Sequence, residues 1–339
     1  MQRMNRIFRT FSAALALVGA LALGSATAAQ QAGHQAGHGL EALDPAGAVT
    51  IQEARPALWK VADADTTIYL FGTIHLLPPG IEWYSGPVAQ AFEASDVLVT
   101  EIPELTAGET QEVVVRRAIL PKGKSLRSGM RKKELAKFDT ALMGFNLPLN
   151  AFDTYKPWYA AVILSTLPLQ QRGFDLANGV EAQLAARNKA RGAPRIGLET
   201  LDYQLGLFDG LSLKVQKEYL LSVVDALPTI DTEVGKIVSA WSAGDAEGLA
   251  GLMNADQEDP AMMQALLTNR NKAWAQWLKA RLDAPGTVFV AVGAGQGDLG
   301  FGDIGGKLGM QAIGVDEDSI VCFFQVFNKR DSGRNHVPQ

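Results

Sequence analysis

Short apolar runs separated by turn residues predict a set of buried β-strands along this chain. Residues 57–61 and 67–71 flank an Asp-Ala-Asp turn, a pattern typical of a β-hairpin. The second run is apolar at successive rather than alternating positions, as expected of a strand covered on both faces. Later apolar runs predict three further core strands and one weak strand, at residues 96–101, 195–199, 287–292 and 312–315.

Amphipathic periodicity between these runs predicts helices. One helix is expected from Pro87 to about Ser95, and a long helical region from about 110 to 188 is interrupted by prolines. Thr200 is predicted to cap the next helix, whose apolar positions are Leu201, Leu205, Phe208 and Leu211. We therefore expect an α/β (α+β) fold, in which helices flank a mixed central sheet and form a large helical insertion.

The N-terminus has the charge pattern of a secretory signal peptide. Three arginines precede an apolar run, and small residues follow it up to Ala29. We interpret residues 1–28 as the signal peptide, 29–50 as a flexible lead-in, 51–325 as the folded domain and 326–339 as a polar tail. The apolar run is short for a bilayer span, so we expect no membrane anchor after cleavage. The expected location is the periplasm of a Gram-negative bacterium.

The composition limits the classes of molecule that the protein is expected to bind. The formal net charge is −5, and removal of the three leader arginines would make it −8. This acidity argues against nucleic acid and anionic membrane surfaces, and leaves a peptide or a small molecule as the expected partner. The single cysteine, Cys322, excludes an internal disulfide and is expected to be a buried thiol. The oligomeric state is left open.

Histidine chemistry in the folded domain depends on one residue. His34 and His38 lie in the lead-in and His336 lies in the tail, whereas His75 follows a predicted strand and a glycine turn. Either metal binding or proton transfer by an imidazole must therefore use His75.

Three more polar side chains follow predicted strands: Glu101, Glu199 and Gln296. Ligands of α/β sheets bind beyond the carboxyl ends of the strands. Together with His75, the carboxylates could hold a divalent ion that activates water. Alternatively, the imidazole could be a general base oriented by a carboxylate. The spacing Gly-x-x-His at 72–75 recurs as Gly-x-x-Gln at 293–296, which predicts two pseudo-equivalent halves around one cleft.

Several motifs resemble the TraB/GumN family, whose eukaryotic relatives include the Tiki membrane proteases. The most specific are the run from Leu70 to Gly80 and the block Gly197-Leu198-Glu199-Thr200. Weaker matches are Trp59-Lys60-Val61, Gly179-Val180-Glu181, Gln204 to Asp209, Arg270-Asn271 and Val290 to Gly295. The resemblance as a whole runs from about residue 56 to residue 315.

The resemblance implies an exported α/β protein, in a group that includes metal-dependent proteases and hydrolases. His75, Glu101 and Glu199 match family positions and are the expected catalytic residues. The resemblance also implies that Arg270 and Asn271 bind substrate, with Arg270 holding a carboxylate. The expected metal ligands are His75, Glu101 and Gln296, and the expected ion is Mn²⁺, Co²⁺ or Zn²⁺.

The second metal motif departs from the family, because Gln296 stands where the family has its second histidine. An amide oxygen is a poorer ligand for zinc than an imidazole nitrogen. Asp298 could substitute as an oxygen ligand. The resemblance and this departure together predict a metal-dependent hydrolase whose second metal motif is degenerate. Peptides are the favoured substrates. The alternative is a non-catalytic periplasmic ligand-binding protein on the same scaffold.

The glycine-rich segment also fits a dinucleotide-binding fingerprint. Residues 295–300 read Gly-x-Gly-x-x-Gly after a strand, and Asp316 follows about twenty residues later. The helix after it would be short and rich in glycine, and too little chain remains to complete a nucleotide-binding half. The sequence therefore disfavours this interpretation.

Overall fold

The computed structural model describes residues 51–254, 264–294 and 311–313. Its strands, in chain order, are β1 (Gln52–Glu53), β2 (Leu58–Ala62), β3 (Thr66–Thr73), β4 (Ile81–Glu82), β5 (Val97–Thr100), β6 (Arg195–Gly197), β7 (Gly286–Gly293) and β8 (Gln311–Ile313). The main sheet has the order β6-β5-β7-β3-β2-β8, and β1 pairs separately with β4.

Helices fill the connections between the strands. They are α1 (Gly86–Glu93), α2 (Ala107–Ala118), α3 (Lys132–Gly144), α4 (Pro157–Gln171), α5 (Val180–Ala190), α6 (Leu201–Asp209), α7 (Leu213–Ala226), α8 (Ile230–Ser242), α9 (Ala246–Asn254) and α10 (Asn269–Arg281). A 3₁₀ turn at Leu126–Gly129 precedes α3, and a π-helical turn at Gln264–Thr268 precedes α10. The α/β fold with a mixed sheet is confirmed, and helices α2 to α5 form the predicted insertion between β5 and β6.

Four strands of the main sheet are parallel. Strand β7 pairs in parallel with β3 on one side and with β5 on the other, and β5 pairs in parallel with β6. The register places Thr73 opposite Gly293 and Thr100 opposite Ala291. The carboxyl ends of these four strands therefore meet at one edge of the sheet. Strand β2 is antiparallel to β3, which confirms the predicted hairpin.

Both faces of the central strands are buried, which explains their uninterrupted apolar runs. Phe71, Phe289 and Ala291 belong to the larger core cluster, together with residues of the helical insertion. The neighbouring side chains point to the other face, where a smaller cluster packs around Trp274 and Leu278 of α10; these are Ile68, Leu70, Val288 and Val290. The prediction of a strand covered on both faces is consistent with this burial.

The predicted helix after β6 is present but ends earlier than the apolar period suggests. Thr200 caps α6, since its hydroxyl accepts a hydrogen bond from the Tyr203 amide at 3.1 Å. Leu201, Leu205 and Phe208 are buried as expected. The prediction that extends this helix to Leu211 is wrong, because the chain leaves the helix at Gly210 and α7 starts two residues after Leu211.

Several predictions fall outside the described residues. These concern the signal peptide, the lead-in, the tail, Gln296, Asp298, Asp316 and Cys322, and they stay predictions. Within the part of the chain that the structure describes, no helix is long and apolar enough to cross a membrane.

Candidate functional site

Three of the sequence-predicted site residues follow the carboxyl ends of three parallel strands. His75 lies two residues after β3, Glu101 directly follows β5, and Glu199 lies two residues after β6. Strand β7 lies between β3 and β5. With strands about 4.8 Å apart, the ends of β3 and β5 are separated by roughly 10 Å. The topology therefore brings these residues to one edge, where they form two polar clusters.

The first cluster, which we call the histidine cluster, consists of His75, Glu181 and Thr73. Nδ1 of His75 lies 3.0 Å from Oε1 of Glu181, and the Thr73 hydroxyl donates a hydrogen bond to the same oxygen. The side chains of His75 and Glu181 are only 10% and 15% exposed. The second oxygen, Oε2 of Glu181, is buried and has no hydrogen-bond partner among the described residues.

A glycine makes this cluster possible. A Cβ at Gly179 would lie 2.8 Å from the carbonyl carbon of His75, so only glycine allows the two backbones to approach this closely. The next amide, Val180 N–H, donates to Ile74 O at 3.0 Å. This contact fixes the start of α5 against the segment after β3. Glu181 then occupies the first turn of α5, where the helix N-terminus favours a negative charge.

The electrostatics keep Glu181 ionised. Burial of the carboxyl raises its pKa, but the charge and hydrogen bond of His75 lower it, and so do the hydrogen bonds from Thr73 and from its own backbone. The lowering contributions win, and the pKa of Glu181 falls below its ordinary value. A carboxylate on Nδ1 orients the imidazole ring and directs its other nitrogen, Nε2, away from Glu181.

The second cluster contains Glu101 and Glu199, which we call the carboxylate pair. Oε1 of Glu101 accepts from the Gly293 amide at 2.8 Å, and its Oε2 accepts from Nη2 of Arg270 at 2.6 Å. Both oxygens of Glu199 accept from Nε of Arg270, at 2.8 and 3.0 Å. Nε2 of Gln204 donates to both glutamates at 2.9 Å. All four carboxylate oxygens are therefore hydrogen-bonded within the protein.

A second close approach explains how the carboxylate pair forms. A Cβ at Gly197 would lie 2.8 Å from the carbonyl carbon of Ile102, so glycine lets the chains after β5 and β6 run side by side. The amide of Glu199 then donates to the Glu101 carbonyl at 2.7 Å. This main-chain bond sets the two glutamates next to each other.

Arg270 is buried in the carboxylate pair. Arg270 as a whole is 5% exposed, and its Nη1 also donates to Leu266 O at 3.3 Å. Burial lowers the pKa of Arg270, but the charges and hydrogen bonds of Glu101 and Glu199 outweigh burial and raise it. Asn271 is buried on the same helix. The substrate-binding role of these two residues stays a prediction, and in the described structure the guanidinium supplies one positive charge between the two glutamates.

The metal that the family implies needs ligand atoms that are open to an ion. His75 fits as a ligand, because metal-binding histidines usually have the other ring nitrogen bound to a carboxylate or carbonyl. The carboxylate pair does not fit as it is arranged, since N–H groups occupy its oxygens and a guanidinium would repel a cation. Among the described residues, no three His, Cys, Asp or Glu side chains are grouped to hold an ion. Gln296 lies outside those residues.

An apolar cleft lies beside the ends of β3 and β7. Trp241 of α8 lines it and donates from Nε1 to Gly72 O at 2.8 Å, which fixes α8 against the strand that leads to His75. The other large side chains of its lining are Trp59, Leu70, Phe71, Leu249 and Val292. The edge of the sheet therefore offers an apolar surface near the histidine cluster.

Sequence reasoning does not assign roles to Glu181, Thr73 or Gln204. Glu181 lies 106 positions after His75, and no spacing rule connects them. Its signal is present in the motif Gly179-Val180-Glu181, in which the carboxylate follows a glycine at the observed start of α5. In the sequence alone, that motif indicates only the resemblance to the family.

The fold and the clusters define an α/β protein with a polar site at the carboxyl edge of a parallel sheet. The sequence model of the TraB/PrgY/gumN family matches residues 57–296. The chain belongs to this family. No curated protein and no solved structure matches the chain significantly.

Proposed function

We propose that this chain is a hydrolase in which His75 is the residue that meets the reacting atoms. The observation that carries the proposal is the 3.0 Å contact between His75 Nδ1 and a buried, ionised Glu181. When the imidazole is neutral, a carboxylate in this position holds the one ring proton on Nδ1 and leaves Nε2 as the basic nitrogen. Such an imidazole can accept a proton from water as the water attacks a carbonyl carbon.

Under the proposal the substrates are peptides, because the wider group that the sequence resembles includes metal-dependent proteases. The apolar cleft beside β3 and β7 supports this choice, because it offers Trp59, Trp241 and Leu249 to an apolar side chain. The Thr73 hydroxyl stays on Glu181 and positions it, so it is not a candidate nucleophile. Under the proposal, Glu101 and Glu199 act through the arrangement of the sheet edge rather than on the substrate.

A divalent ion is the second route that uses the same imidazole. The specific observation in its favour is again the carboxylate on Nδ1, which is the usual surrounding of a metal-binding histidine. His75 would supply a nitrogen ligand and Gln296 an oxygen ligand, and Mn²⁺, Co²⁺ or Zn²⁺ would acidify water. The engaged oxygens of Glu101 and Glu199 favour the direct route.

Export to the periplasm is part of the proposal. Its support is the leader, in which arginines, an apolar run and small residues follow one another. Protein recovered from the periplasm should begin at Ala29 or Gln30, and intact-mass measurement will test this. Soluble protein that keeps the leader would contradict export.

The test of function compares the mature protein with His75→Ala, Glu181→Gln and, as a matched control, His336→Ala. A peptide library with mass-spectrometric detection reports hydrolysis, and elemental analysis reports bound ions. We expect His75→Ala to lose activity by about 100-fold or more, as for removal of a general base. Glu181→Gln should lose less, and His336→Ala should match wild type.

The ion content separates the two routes. A near-stoichiometric ion that His75→Ala loses would favour the metal route over direct proton transfer. Wild-type protein that binds peptides tightly but cleaves none would overturn the hydrolase and favour a ligand-binding protein.

A further inference from the structure

Four separate elements meet at the carboxylate pair. Strand β5 brings Glu101, the turn after β6 brings Glu199, the end of β7 brings the Gly293 amide, and α10 brings Arg270. The side chains of both glutamates are 6% exposed. Two buried carboxylates that share the same hydrogen-bond donors need a positive partner, because burial of unpaired charge is costly.

We propose that Arg270 is the resident cation of the carboxylate pair, so that the pair is a closed cation site and not the ligand set of a divalent ion. The guanidinium reaches Glu101 with Nη2 and Glu199 with Nε, which spans both glutamates with one planar group. A divalent ion would need the same oxygens at about 2.0–2.6 Å. The guanidinium already occupies that space.

The surroundings of Arg270 hold the guanidinium in this position. Nη1 donates to Leu266 O inside the π-helical turn that precedes α10. The guanidinium carbon also lies 4.9 Å from the ring centre of Trp274, one turn later on α10. These contacts engage Nη1 and the central carbon of the guanidinium. The arginine is therefore built into the site and does not lie across it by chance.

The charges of the cluster predict the effect of removing the arginine. Two carboxylates face one guanidinium, and the remaining hydrogen bonds come from neutral groups, the Gly293 amide and Gln204. A variant without the guanidinium leaves two negative charges around a space of the same shape. That space should accept a small guanidinium ion from solution.

The experiment measures thermal unfolding and calorimetric binding for wild type, Glu199→Gln, Arg270→Ala and Arg270→Ala/Glu199→Gln. The probes are methylguanidinium at concentrations far below denaturing ones, the neutral analogue methylurea, and Mn²⁺. We expect methylguanidinium to raise the unfolding temperature of Arg270→Ala and to leave wild type unchanged. Methylurea should not stabilise any variant. The double variant should bind methylguanidinium about 10-fold more weakly or not at all, because charge-assisted hydrogen bonds are lost.

Two outcomes would overturn the proposal. One is an Arg270→Ala protein that folds but is not stabilised by methylguanidinium. The other is Mn²⁺ binding by wild type that Glu199→Gln weakens, which would make the pair a metal site. This Mn²⁺ comparison needs no arginine variant, so the proposal stays testable if Arg270→Ala does not fold. No readout involves His75 or catalysis, so the result is independent of the proposed hydrolase.

Discussion

The two polar clusters at the sheet edge differ in how completely their hydrogen bonds are satisfied. In the carboxylate pair, every oxygen of Glu101 and Glu199 accepts at least one hydrogen bond, and a guanidinium offsets one of the two negative charges. In the histidine cluster, Oε2 of the buried Glu181 has no hydrogen-bond partner among the described residues.

The difference indicates a division of tasks. A saturated buried network rigidifies the structure, whereas an incompletely satisfied one is where ligands and reactions are found. The pair ties α10 to β5, β6 and β7, and the histidine cluster presents the imidazole. Under the proposed function, the carboxylate pair therefore serves mainly stability and the histidine cluster mainly chemistry.

The largest effect is expected when the carboxylate pair loses its cation. Arg270→Met should reduce the free energy of unfolding by about 3–5 kcal/mol, because it leaves two buried carboxylates without a counter-charge. Urea unfolding measures the change. The control is Arg172→Met, which removes an arginine that is 70% exposed and pairs with Asp231 at 2.9 Å. That variant should change stability by less than about 1 kcal/mol.

Equal, small losses of unfolding free energy in both arginine variants would contradict the structural role of the carboxylate pair. The carboxylate pair would then be loosely held, and its saturated hydrogen bonds would not mark a structural centre.

A smaller effect is expected from the hydroxyl in the histidine cluster. Thr73→Val keeps the shape of a side chain that is 2% exposed but removes its hydrogen bond to Glu181. Hydrogen bonds to charged groups contribute about 1.5–3 kcal/mol, so the free energy of unfolding should fall by that amount. The control, Thr140→Val, changes an exposed helix position and should stay within about 0.5 kcal/mol. If Thr73→Val behaves like the control, Glu181 is not held by Thr73.

The close approach at Gly179 gives a third, similar or smaller effect. Gly179→Ala would force the backbone of His75 to move, and overpacking of this kind costs about 1–3 kcal/mol. The matched control is Gly235→Ala in α8, where a Cβ would meet nothing within 4 Å. In a helix this change should stabilise by about 0.5–1 kcal/mol.

The Gly179 variant also tests whether the two clusters can be disturbed separately. It should disturb the His75–Glu181 contact while leaving the carboxylate pair intact, because the pair depends on Gly197 instead. Selective ¹⁵N labelling of histidine reports the contact, since the Nδ1 and Nε2 signals depend on which nitrogen carries the proton. Unchanged ring signals of His75 in Gly179→Ala would show that the glycine does not position the imidazole.

Much of the fold could be predicted from the sequence. Strands β2, β3, β5, β6 and β7 lie within or beside the apolar runs that predicted them. The cap at Thr200 and the start of α4 at Pro157 follow from local preferences of those residues. The predicted position of His75, Glu101 and Glu199 beyond strand ends is also correct, since strand ends are visible as the limits of apolar runs.

The helices and strands follow from local sequence, because burial on both faces and helix capping act over a few neighbouring residues. The sequence also placed chemically capable residues after the strands. Which of these residues contact one another depends on the tertiary structure. His75 pairs with Glu181 from a helix 106 positions later, and Glu101 pairs with Arg270 from 169 positions later. Such contacts depend on strand order and on close approaches at Gly179 and Gly197, which no local pattern encodes.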